Sequence, residues 1–138
     1  MALELDTLNK ALDTLKAALR LHEGKKGESE ELALALRDSV IQRFEYTYNL
    51  SWTLMQRWIA ENVNPESADP VYTRKELFRI AARLGLIADP LHWFAYHKAR
   101  NISAHTYKEA NAEEAFKAAV AMVEDVDYLL AALAKRND

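Results

Sequence analysis

Apolar positions recur along most of this chain at steps of three and four, the period of one face of an α-helix. Between Leu3 and His22, Leu5, Leu8, Leu12, Leu15 and Leu19 form one such stripe, with Lys10, Lys16 and Arg20 off it. The polar run Gly24-Lys25-Lys26-Gly27-Glu28-Ser29 predicts a linker. A long second helix is predicted from about Glu30 to Glu61. At about 100° per residue, Ile41, Phe44, Tyr48, Trp52, Met55 and Ile59 share one arc, and Leu36, Val40, Leu50 and Leu54 share the next. Asp38, Gln42, Glu45, Asn49 and Gln56 make a narrow polar strip. A helix apolar over more than half its girth needs neighbours on several sides. In so short a chain, part of that surface suits a second copy, and a homodimer is expected.

Asn62 to Pro70 holds two Pro and two Asn and predicts a loop. Thr73 with Glu76 has the spacing of a capping box, and Tyr72 with Leu77 that of a hydrophobic staple. The short third helix should stop near Leu84, with Gly85 suited to a left-handed cap. Asp89-Pro90 places an N-cap before a proline at the first helical position, opening a fourth helix toward His105. Asn111 and Glu114 suggest another capping box for a final helix to about Ala134, with Phe116, Val120, Val123, Val126, Leu130 and Leu133 as its apolar set. The expectation is an all-α fold: one domain over residues 1–138, with an up-down four-helix core plus one short helix.

Composition supports this and narrows the chemistry. The chain has 138 residues, half of them apolar, with three Gly and three Pro. That leaves little for the turns of a β fold. It has no Cys, which removes disulfides, thiolate metal sites and cysteine nucleophiles. The first residues, with Glu4 and Asp6 among leucines, lack the layout of a signal peptide, and no apolar run suits a bilayer. A cytoplasmic protein without membrane contact is expected. The formal charge of −3 argues against bulk electrostatic binding of nucleic acid and leaves a local basic site open.

Such a site stands out in the sequence. Between Asp89 and Glu109 there is no acidic residue, while Lys98, Arg100, Lys108, His92, His97 and His105 all fall there. The plain reading is a basic helix face; the sharper one is an anion site for phosphate or a nucleic-acid backbone. Within it runs Arg100-Asn101-Ile102-Ser103-Ala104-His105-Thr106-Tyr107. Arginine holds a phosphate with a permanently charged fork, histidine trades protons near neutral pH, and Asn101 both donates and accepts. Those are the parts for metal-free RNA cleavage, in which a 2′-hydroxyl attacks the adjacent phosphate. On a regular helix, five residues turn about 500° and leave Arg100 and His105 about 140° apart. Asn101 and His105 would share a face, with His97 near them. Either the helix ends before His105, or a second subunit completes the site.

Three stretches carry a resemblance: Arg37-Asp38-Ser39-Val40-Ile41-Gln42-Arg43-Phe44-Glu45-Tyr46-Thr47-Tyr48-Asn49-Leu50-Ser51-Trp52, then Thr73 to Phe78 with Gly85-Leu86-Ile87, and the Arg100–Tyr107 run. Together they resemble the HEPN superfamily and, within it, the bacterial nucleotidyltransferase substrate-binding proteins, a group that includes HepT-like toxins of HepT–MntA systems. The resemblance implies a helical homodimer associated with a separate nucleotidyltransferase. It matches Arg100 and His105 to a ribonuclease pair, Asn101 to its polar neighbour, and Tyr107 to a tyrosine that the partner modifies with AMP. RNA is then a candidate ligand, and neither cofactor nor metal is expected. The alternative function is a non-catalytic binding subunit that presents substrate to the transferase. A third is a helical adaptor whose basic island docks a protein.

Other residues have plainer readings. Asp38, Gln42 and Glu45 could contact a partner or the second subunit, though such a stripe also suits the wet side of a helix. His22 and His92 read as surface or interface residues, and Trp52, Trp58 and Trp93 as core or dimer anchors. Tyr107 could equally be a partly buried tyrosine at a helix end.

Overall fold

The computed structural model describes residues 3–63 and 72–136, and every regular element in them is helical. In order, these are α1 (Asp6–Lys25), α2 (Glu30–Asn62), α3 (Arg74–Arg83), α4 (Pro90–Ile102), a single 3₁₀ turn (Ser103–His105) and α5 (Glu109–Arg136). The four long helices form the bundle with one short helix, as expected, and that short helix, α3, packs on α2 and α4. The loop expected over 62–70 lies, from residue 64, outside the described residues.

The helix ends follow local chemistry. Ser29 caps α2 by accepting from the Leu32 amide at 3.0 Å, an interaction worth about 1 kcal/mol. Thr73 and Glu76 close the capping box of α3, and Asp89 accepts from the Leu91 amide ahead of Pro90. Gly85 takes φ +81°, a conformation that a side chain resists, and Arg136 lies across it while donating to the Leu84 carbonyl. Two boundaries differ from expectation. The first helix runs through Gly24 to Lys25, so the linker is shorter. The last begins at Glu109, and Asn111 donates its side-chain N–H to the His105 carbonyl instead of capping.

The core gathers Leu8, Leu12 and Leu15 of α1, Phe44, Tyr48, Met55 and Ile59 of α2, and Phe78, Trp93 and Val126. On α5, Val126, Leu130 and Leu133 of the expected apolar set are buried, Phe116 and Val123 are half-buried, and the buried face extends beyond that set. Ala112, Ala115, Ala119, Met122 and Leu129 are fully buried, whereas Val120 is exposed. Small side chains let α5 approach its neighbours closely, so backbone proximity outweighs the size of any one residue there. Trp93 is fully buried, and Trp52 and Trp58 lie half-buried against the core. No helix among the described residues is long and apolar enough to cross a membrane.

Candidate functional site

Helix α4 delivers the expected residues to the open end of the bundle. Its last regular residue is Ile102, and the backbone then tightens into the 3₁₀ turn that carries His105. The regular α-helix therefore ends before His105, with Arg100 turned to Glu45 of α2 and His105 to Tyr107. Glu109 anchors the chain beyond the turn: Arg37 of α2 grips its carboxylate bidentately at 2.6 and 3.0 Å. That bond raises the Arg37 guanidinium and lowers the exposed Glu109 carboxyl from their usual values. The Asn111 bond to the His105 carbonyl ties the turn from the other side.

Arg100 is half-buried and pairs with Glu45 of α2 at 3.1 Å. Ser103, buried in the turn, donates to the same carboxylate oxygen. Glu45 is thus an internal tether joining α2 to the end of α4, while Asp38 and Gln42 remain exposed. His105 and Tyr107 are both exposed and meet edge to face, with ring centroids 5.8 Å apart and the Tyr107 hydroxyl 3.5 Å from Nδ1. Tyr107 is 79% exposed, so the reading of a partly buried tyrosine does not hold. Asn101 is exposed as well.

The rest of the basic island is partly neutralised from other helices. Lys98 lies 4.0 Å from Glu114, and His92 bonds Asp125 at 3.1 Å with Asp89 at 3.6 Å. His22 is half-buried against Phe116. His97 sits apart from His105, with Nδ1 2.8 Å from the Tyr48 hydroxyl. Burial first, and then the Arg74 cation, hold its imidazole below the ordinary histidine value. Burial likewise pushes the Tyr48 hydroxyl up to about 12, an effect partly offset by Arg74 and Arg100. Among the described residues no group of three or more His, Asp or Glu is placed to hold a metal ion.

Reading the sequence missed Ser103 and Arg74 as members of this neighbourhood. Ser103 lies inside the Arg100–Tyr107 run, and Arg74 inside a stretch that carries the resemblance, so a signal was present for both.

The all-helical bundle, with Arg100 and His105 at the close of α4, sets the class of fold. Residues 3–135 match the family model described as nucleotidyltransferase substrate binding protein like. The chain belongs to that family. It is 34% identical over 97 residues to the protein of Haemophilus influenzae named "Probable ribonuclease HepT", a match covering 70% of this chain and 66% of that protein, just under two thirds of its length. Among solved structures it resembles HI0074 of Haemophilus influenzae, described as showing the fold of a substrate binding domain of a nucleotidyltransferase. There the TM-score is 0.86 at 27% identity, covering 95% of this chain and 99% of that one. It also resembles ttk003001694 of Thermus thermophilus, with TM-score 0.71 and 29% identity over 91% of this chain and 98% of that one.

Proposed function

We propose that this protein is the helical partner of a separate nucleotidyltransferase and that the Arg100–Tyr107 turn is a metal-independent endoribonuclease site silenced by AMP addition to Tyr107. The observation that carries this reading is the exposed pairing of His105 with Tyr107 on a tight turn a few residues beyond Arg100. The family description and the ribonuclease name of the relative support it.

In the cleavage step the RNA 2′-oxygen loses its proton to a base and bonds to the neighbouring phosphorus, while the bond to the 5′-oxygen breaks and that oxygen takes a proton. His105 serves as one proton carrier, and Arg100 and Asn101 offset the charge gathering on the phosphate oxygens. Each chain supplies one such histidine in the turn, so a homodimer with facing turns provides the second. AMP transfer joins the Tyr107 oxygen to the α-phosphorus of ATP and releases pyrophosphate. The added anion would then occupy the site beside His105 and repel RNA.

A second reading, a non-catalytic binding subunit, is favoured by the ion pair of Arg100 with Glu45, which suits holding a ligand in place more than neutralising a transition state. One experiment separates the two. The unmodified protein is incubated with labelled RNA in EDTA, and in parallel with its transferase and ATP before intact-mass and peptide analysis. Cleavage in EDTA, lost once AMP maps to Tyr107, is the expected result. Intact RNA in the presence of unmodified protein would overturn the ribonuclease reading, and AMP mapped only to other residues would overturn the regulatory one.

A further inference from the structure

Beside the Arg100 turn, four residues of α2, α3 and α4 form a cluster that the cleavage scheme does not use. The Arg74 guanidinium lies flat on the Trp52 ring, 3.2 Å from its centroid. Its Nε is buried without a hydrogen-bond partner, and no carboxylate among the described residues pairs with it. The same guanidinium acts on the Tyr48 hydroxyl and on His97, and Arg100 acts on that hydroxyl too. Both cations therefore favour negative charge at one tyrosine oxygen.

Proton placement in this cluster follows from donor and acceptor types. An arginine can only donate. In the tautomer that an anion subsite here requires, Tyr48 donates to Nδ1 of His97 at 2.8 Å. An imidazole that accepts at Nδ1 carries its own proton on Nε2. The nitrogens left without a protein partner are then donors: the buried Nε of Arg74, the His97 Nε2–H and the buried Nε of Arg100. Stacking on Trp52 occupies the face of the Arg74 guanidinium and fixes its plane, leaving the in-plane N–H fork for a ligand. A stacked guanidinium that no carboxylate among the described residues pairs suits an oxyanion, and its planar fork suits the paired oxygens of phosphate.

Resting on the nucleotide-handling reading above, we propose that Arg74, supported by Trp52, Tyr48 and His97, is a second phosphate subsite for the ligand that meets Arg100 and His105. Its occupant is a phosphate group of a nucleotide unit, borne either by an RNA strand or by a mononucleotide.

The test measures binding, separately from cleavage. The full-length protein and its Arg74→Gln and Arg74→Lys variants are titrated with a labelled 2′-O-methyl oligoribonucleotide, which cannot be cut, and with 5′-AMP, with circular dichroism and Tm as checks on folding. Arg74→Gln is expected to weaken binding about 10- to 100-fold, the range for a lost charge-assisted hydrogen bond. Arg74→Lys, which keeps the charge and loses the fork, should fall between. Weakening with the oligonucleotide alone assigns the phosphate to a strand, whereas equal weakening with AMP assigns it to a mononucleotide. Unchanged affinity for both probes in a folded Arg74→Gln variant overturns the subsite, as does failure of the wild type to bind either probe. The two readings fail separately. Arg74-dependent binding without any RNA cleavage keeps the subsite and removes the ribonuclease. Cleavage by wild type with kcat and KM unmoved in Arg74→Gln does the reverse.

Discussion

An exposed histidine is set near a tyrosine in the first half of α4 and again on the turn just beyond its end, and the two places are finished in opposite ways. At the first, Tyr96 is buried and donates to Asp125, which also bonds His92. Burial and that neighbouring carboxylate push the Tyr96 hydroxyl well above its ordinary value. At the second the tyrosine and histidine face solvent, and the nearby carboxylate, Glu45, is engaged by Arg100 and Ser103. The same residue types thus give a closed structural knot in one place and an open cationic turn in the other. What differs is which side chain the incoming carboxylate meets.

Substituting the two histidines should break the comparison most sharply. His105→Ala is expected to lower RNA cleavage about 10²- to 10⁴-fold, the usual contribution of a positioned proton carrier, with fold and Tm retained. His92→Ala should leave cleavage within about twofold of wild type, because on this reading it touches no reacting atom. Equal losses in both variants, read by initial rates on labelled RNA in EDTA, would show that the open end has no special role.

A smaller effect separates the two carboxylates. Asp125→Asn removes a charged acceptor from the buried Tyr96 hydroxyl and should cost about 1.5–3 kcal/mol in urea unfolding. Glu45→Gln keeps a hydrogen-bond acceptor for Ser103 in a pair whose members are 31% and 27% exposed, and should cost about 1 kcal/mol. Its larger signature would be functional, with an altered KM as Arg100 loses the group that sets its position. If Glu45→Gln destabilises more than Asp125→Asn, the tight knot lies at the other end of the helix.

How much of this was legible beforehand follows from the range over which each feature is set. Helix starts such as Thr73 and Asp89-Pro90 depend on residues within one turn, and the sequence displays them. The stripe of α1 was equally plain. On α5 the larger apolar residues show most of the buried face and the alanines do not, because burial of a small side chain depends on how closely other helices approach. The residues of the open turn were visible through their type and the resemblance, whereas their partners were not. Glu45 reaches Arg100 across 55 positions and Ser103 across 58, and Asp125 reaches Tyr96 across 29. A stretch without acids in sequence can still be lined with acids in space. The unbroken basic island between Asp89 and Glu109 is, in the fold, a set of side chains partly met by carboxylates from other helices, with one open end.

The finest distinction concerns His97 and can be read through pH. It faces the Tyr48 hydroxyl from α2 and the Arg74 cation from α3, and both burial and that cation hold its folded-state value below the unfolded one. As pH falls, the unfolded chain therefore takes up the proton first, beginning near the ordinary histidine value of about 6.5. The stabilisation is complete above that pH and is lost as pH falls through the lower folded value. His97→Asn keeps an acceptor for Tyr48 and cannot titrate. Between pH 7 and pH 5 its Tm should fall less than that of wild type, by a few degrees at most for a bundle of this size. The carboxyls of Glu4, Glu23 and Glu109, held low by their own partners, lose their contribution only at more acidic pH and leave this window clear. Parallel curves for the two proteins would mean that His97 takes its proton as easily folded as unfolded. The Tyr48 proton would then need another acceptor, and the all-donor lining beside Arg74 would lose its His97 member.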